Sequence, residues 1–154
     1  MGIVDTSFAR FDMASSAIDE LKEWRNEIEI AQYTVPGVKD LAAGASILFD
    51  RGADLVMALG MVGRQPVDKD CAVAADFGLQ IVQAQRGRHI LGVMVHEDEA
   101  DDEAALADLF DRRTREHARN ACDLLLRPES LRARAGTGQR EGFPDAGPLK
   151  VRRP

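Results

Sequence analysis

Apolar residues recur along this chain in two alternating rhythms: a short continuous or every-second run, then a spacing near 3.6 residues, four times over. That alternation predicts strands crossed by helices, hence a parallel sheet with helices on its faces. "GIVD" at residues 2–5 is the first strand. Asp12 stands where an N-cap belongs, and Ala14, Ala17, Ile18, Leu21 and Trp24 share one face of the helix that follows. In "NEIEIAQYTV", residues 26–35, Ile28 and Ile30 alternate with Glu27 and Glu29, the pattern of a strand with one wet face, and this places it at the sheet edge.

"VPG" at 35–37 breaks that strand, and "KDLAAGASILFDRG" predicts a short helix ending at Gly52. "ADLVMALG" is continuously apolar, as a central parallel strand should be, and "MVGRQPVDKD" reads as a longer connection. Cys71, Ala74, Ala75, Leu79 and Val82 recur at helical spacing, "RG" closes that helix, and "HILGVMV" is the fourth strand. The last helix spans Asp101 to Leu126, opened by acids that suit the positive end of a helix dipole. Beyond Arg127 the periodicity ends. The chain thus divides into one α/β catalytic domain, residues 1–126, and a basic Gly/Pro/Arg-rich tail, residues 127–154, expected either to be disordered or to lie as an arm on another surface. The expected architecture is a three-layer α/β/α, flavodoxin-like fold with strand order 2-1-3-4. Ligands in such sheets bind beyond the carboxyl ends of the strands, so "TSFARFD", "TVPGVKD", "GMVGRQPVDKD" and "VHEDEADDE" form the candidate site.

Composition narrows the function. At 154 residues, 45% hydrophobic and 30% charged, the chain can bury a real core in one domain. A net charge of −6 argues against nucleic acid as a partner, although residues 127–154 are locally basic. The longest apolar runs are too short to cross a bilayer and no basic-then-apolar leader opens the sequence, so no membrane role and a cytoplasmic location are expected. Cys71 and Cys122 lack any Cys-x-x-Cys or His spacing and read as reduced thiols.

Several residues carry candidate chemistry. Phe8, just after the first strand, either walls a flat ligand or folds back under the first helix. "VPGVKD" sets a rigid turn before Lys39 and Asp40 at a helix start, where free backbone N–H groups meet polar ligands or the two charges are simply solvated. "VHEDE" gathers His96, Glu97, Asp98 and Glu99; the helix dipole explains the acids more cheaply than a metal does, leaving His96 or Glu97 as an acid or base. Arg112, Glu116 and Arg119, and the neighbouring Arg113 and His117, read as surface ion pairs. No Gly-x-Gly-x-x-Gly, phosphate-loop lysine or Gly-x-Ser-x-Gly motif is present.

Taken in order, "GIVDTSFARFDMASSAI", "TVPGVKDL", "DLVMALGM", "DKDCA", "VHEDEADD" and "AGTGQREGFPDAGP" resemble the archaeal-type riboflavin synthases, relatives of lumazine synthase. The resemblance runs from Gly2 to about Pro148. It implies a homopentamer, or a decamer of paired pentamers, with active sites between subunits. It implies a dismutation in which two 6,7-dimethyl-8-ribityllumazine molecules exchange a four-carbon unit to give riboflavin and 5-amino-6-ribitylaminouracil. No organic cofactor is implied; magnesium is, at an unknown position. By carry-over Phe8 faces the heterocycle, Lys39 and Asp40 meet the ribityl hydroxyls, and backbone groups at Gly60, Met61 and Val62 meet the pyrimidine edge. Ser7, Arg10, Pro36, Gly37, Lys69 and Arg113 complete the implied substrate-binding set. His96 and Glu97, then His117, are the candidate proton handlers. The chain departs from the family pattern at Ala42, where proline is frequent, and at Val73 and Ala74, where His-Glu is frequent. Two rival readings are a lumazine synthase, for which Arg112 or Arg113 would bind phosphate, and a flavin or pterin carrier without turnover. A phosphoacceptor domain fits less well, with four strands and no acidic cluster around Asp5.

Overall fold

A computed structural model describes residues 1–150. Four strands, Gly2–Thr6 (β1), Ala31–Val35 (β2), Val56–Val62 (β3) and Ile90–His96 (β4), form one parallel sheet in the order β2-β1-β3-β4, as the hydrophobic pattern predicts. Among the described residues four helices cover it, Met13–Trp24 (α1), Leu41–Asp50 (α2), Pro66–Arg86 (α3) and Glu103–Leu126 (α4), and a fifth, Pro128–Arg134 (α5), packs on α4. Single 3-10 turns, Val38–Asp40 and Glu97–Glu99, precede α2 and follow β4.

The pleat sorts the strand residues between two cores. Ile3, Met57, Leu59, Val93 and Val95 point to α1 and α4, whereas Val4, Val56, Ala58 and Ile90 point to α2 and α3. Because β3 is covered on both faces, it reads as an unbroken apolar run. Helix α2 sits close on the sheet at Gly44, where a Cβ would stand 2.5 Å from Val4 Cγ2. The predicted N-cap holds: the Asp12 carboxylate accepts from Ser15 N at 3.0 Å and from Ser15 Oγ at 2.6 Å, and those bonds keep its carboxyl below the usual range. Between α1 and α4, buried Glu20 accepts from Arg119 Nε at 2.6 Å, which meets the requirement that an interior charge be paired.

Four expectations need correction. β2 begins at Ala31, not Asn26, paired with β1 from Gly2 onward; the one bond further back is from the Met1 amine to Glu29 O at 2.7 Å, and Ile28 and Ile30 pack against the α1–α4 core. α3 begins at Pro66, inside the stretch read as a connection, with Gln65 and Asp68 closing a capping box. Its buried stripe is Ala72, Ala75 and Leu79, and Ala74 is exposed. The tail contains α5 and, over its described part, lies on its own subunit's α4. There Arg127 and Arg134 both bind Asp123, Arg127 stacks on Trp24 at 4.0 Å, and Asn120 donates to Glu141 at 2.7 Å. Residues 151–154, including Arg152 and Arg153 of the basic tail, lie outside the described residues.

Candidate functional site

The carboxyl ends of β1 and β3 open into a cavity of about 380 Å³. Its position follows from the loops. Ser7 N donates to Val35 O at 2.8 Å and Phe8 N to Pro36 O at 3.3 Å, so the β1–β2 pairing continues past both strands and carries Phe8 against the Pro36–Gly37 turn. Ser7 Oγ also points back to Pro36 O, at 3.4 Å. The Phe8 ring lies over Gly37, where a Cβ would stand in ordinary contact 3.6 Å away. Phe8 remains 73% exposed. Phe11, three residues on, has the opposite fate, stacked on Phe110 with centroids 5.5 Å apart. The first phenylalanine therefore faces the cavity and the second closes the core.

Phe8, Pro36, Gly37, Lys39, Asp40, Met61 and Val62, all candidates from the sequence, line this cavity. Thr6, Val38, Gly63, Asp68 and Cys71 join them and were missed. Thr6, Val38, Gly63 and Asp68 fall within the loops named from the sequence without being singled out, and Cys71 was read only as part of a helix face. Lys39 and Asp40 ride on the 3-10 turn leading into α2, whose N-terminus has no side-chain cap. Gly60 is not a lining residue. A Cβ there would stand 2.7 Å from Met94 Sδ and 3.0 Å from Val38 Cγ1, so its bareness lets the Val38 turn settle on the sheet.

The remaining candidates lie outside the cavity walls. The side chain of Arg10 binds Glu97 at 3.0 Å and also Glu103, and Lys69 binds Asp98. Arg113 grips Glu99 with two bonds of 2.8 and 2.6 Å and donates to Met94 O, and the Glu99 carboxyl is held below its ordinary range chiefly by that guanidinium. His96 is the cap of the 3-10 turn, its backbone N donating to Glu99 at 2.8 Å. His117 Nδ1 faces Arg113 O at 2.9 Å and Glu141 at 3.3 Å. The acids of "VHEDE" are thus spent on three cations rather than on the dipole of α4, whose first turn holds only Glu103.

Among the described residues no three His, Cys, Asp or Glu side chains are grouped to hold a metal ion. Asp40 and Asp68 reach the cavity without a third donor. A larger, more polar cavity of about 650 Å³ lies between α4 and the C-terminal arm. Its Arg112, Arg119 and Arg134 already bind Glu116, Glu20 and Asp123.

The Phe8 cavity, at strand ends where such folds bind ligands, is mostly apolar, with Thr6, Lys39, Asp40 and Asp68 among its lining residues. Residues 1–129 match the family model described as 6,7-dimethyl-8-ribityllumazine synthase. The chain belongs to that family. Within it, the chain is 51% identical to the riboflavin synthase of Methanothermobacter marburgensis over 150 residues, covering 97% of this chain and 98% of that one. It is 46% identical to the riboflavin synthase of Archaeoglobus fulgidus, with 97% of each covered, and 42% identical to that of Aeropyrum pernix at the same coverage. No helix among the described residues is long and apolar enough to cross a membrane.

Proposed function

We propose that the chain is a riboflavin synthase, a transferase that dismutates two 6,7-dimethyl-8-ribityllumazine molecules into riboflavin and 5-amino-6-ribitylaminouracil. The observation that carries this reading is the near-complete alignment, at 42 to 51% identity, with relatives named riboflavin synthase, on a fold whose strand-end cavity is walled by an exposed aromatic. The four carbons leaving one lumazine complete the xylene ring of the other, and the atoms of two substrates equal those of the two products. The reaction thus needs no external oxidant, and no organic cofactor is part of the proposal.

In this reading Phe8 lies against one face of the heterocycle, Lys39 and Asp40 meet ribityl hydroxyls, and main-chain groups of Met61 and Val62 meet the pyrimidine edge. Fixing two bulky reactants face to face removes a bimolecular entropy barrier of potentially several kcal/mol. His96 is the proposed proton handler for the 7-methyl group of one substrate, because Glu97 is engaged by Arg10 and His117 by Arg113 O and Glu141. As His96 lies outside its own chain's cavity, a neighbouring subunit completes each site.

A cyclic homo-oligomer, of five subunits by family resemblance, supplies that neighbour. Val73, Phe77 and Ile81 support it: spaced four apart along α3, they are 55%, 67% and 56% exposed and form an apolar stripe uncovered in the single chain. The frequent His-Glu of this helix is replaced at Val73 and Ala74 by residues on that outer side, away from the cavity. The location we propose is the cytoplasm, supported by two free thiols. The experiment that tests the function gives the purified protein either lumazine alone or ribitylaminouracil with a four-carbon phosphate ester. Riboflavin from the first supports the reading; lumazine from the second, with no riboflavin from the first, makes the protein a lumazine synthase.

A further inference from the structure

The turn after β4 places three consecutive carboxylates, and each is taken by a cation from a different element. Glu97 is bound by Arg10 of the β1–α1 loop, Asp98 by Lys69 in the first turns of α3, and Glu99 by Arg113 of α4. A 3-10 turn suits this, because three residues per turn point three successive side chains in three directions. Arg10 reaches further, to Glu103 at the start of α4, while its backbone N lies 3.4 Å from Met61 Sδ. Two of the anchored elements are walls of the Phe8 cavity: the β1–α1 loop carries Phe8, and the start of α3 carries Asp68 and Cys71 on either side of Lys69.

We infer that the Glu97–Glu99 turn is a brace that fixes the spacing of these two walls, and that Arg10 and Lys69 are positioning residues whose side chains hold the brace rather than the substrate. This rests on the Phe8 cavity being the lumazine site and goes beyond it, since it removes two cations from the expected substrate contacts. The geometry supports it in two ways. Both cations are committed to carboxylates, Arg10 to two of them, and neither lines the cavity. The Asp98 carboxyl is lowered chiefly by Lys69, and the Arg10 guanidinium is raised chiefly by Glu97, in keeping with these pairings. All these ion pairs are at least partly solvated, so their loss should leave the fold intact while loosening the mouth of the cavity.

A charge swap separates positioning from contact. Lys69→Glu and Asp98→Lys should each raise KM for lumazine by roughly fivefold, with kcat changing less, since each breaks an exposed pair and adds repulsion. The double variant K69E/D98K rebuilds the pair in reverse and should return KM to within about twofold of wild type. If Lys69 touches substrate, the swap leaves KM as high as K69E alone, and the brace is refuted. Should a reversal impair folding, the neutral cycle of Lys69→Met and Asp98→Asn decides: the brace requires the double variant to be no worse than either single, and additive losses overturn it. Arg10→Met and Glu97→Gln give the same test for the second anchor. Riboflavin formation by the wild type tests the function itself, and equilibrium binding of riboflavin, read by fluorescence, can replace KM throughout, so failure of the function and failure of the brace are distinguishable.

Discussion

Replacing Phe8 by alanine should weaken ligand binding far more than it weakens the fold, and the structure sets both magnitudes. The residue is 73% exposed. A phenylalanine offers about 200 Å², so only about 50 Å² is removed from water. At about 25 cal/mol per Å² that burial is worth roughly 1 kcal/mol, which lowers Tm by about 2–4 °C in a chain of this size. The same change at Phe110, only 1% exposed and stacked on Phe11, should cost about 3–5 kcal/mol. For binding, loss of an aromatic face from a stacked heterocycle costs about 1–3 kcal/mol, or roughly five- to 150-fold in Kd. The assay is fluorescence titration with riboflavin beside thermal melts of wild type, F8A, F8W and F110A. F8W should bind nearly as wild type. An F8A protein that melts as low as F110A, or that binds riboflavin as wild type does, refutes the assignment of Phe8 to the ligand.

Three further outcomes follow from other parts of the molecule. Phe77→Glu, in the middle of the exposed α3 stripe, should lower the mass in solution towards a single chain by light scattering, and an unchanged mass would remove α3 from the interface. Gly44→Ala should lower Tm despite better helix propensity worth about 1 kcal/mol, because its Cβ meets the stiff side chains of Val4 and Val35 at 2.5 and 3.1 Å and overpacking costs about 1–3 kcal/mol. A rise in Tm would contradict the close approach of α2. Acid should destabilise the fold through Glu99 and Asp111, lowered chiefly by Arg113 and Ser16 respectively. As their folded values lie below the unfolded ones, the folded state binds fewer protons, and the stabilisation is present above about pH 4 and lost as pH falls through the folded values. Urea midpoints at pH 6 and pH 3 should show this, Glu99→Gln should flatten it, and identical midpoints would deny it.

The layer order was legible because each signal was local. A run such as "ADLVMALG" is buried on both faces whatever surrounds it, and Asp12 caps α1 through a residue three positions on. The cavity's main wall was legible for the same reason, since Phe8 and the Pro36–Gly37 turn sit at strand ends. What failed depended on partners distant in sequence. Ile28 and Ile30 alternate like a strand, but the register with β1 begins at Ala31, and both side chains go to the α1–α4 core. Arg10, Lys69 and Arg113 look like free cations in sequence; their carboxylates lie 14 to 93 residues away. The pairing of α5 with Asp123 and of the arm's Glu141 with Asn120 likewise has no periodic signature.

The most direct measurement is the product balance with lumazine as sole substrate, followed by chromatography over the course of the reaction. The account predicts one riboflavin and one ribitylaminouracil for every two lumazines consumed, in constant ratio from first turnover to last. Lumazine left untouched, or riboflavin formed without an equal amount of the pyrimidine, would contradict it.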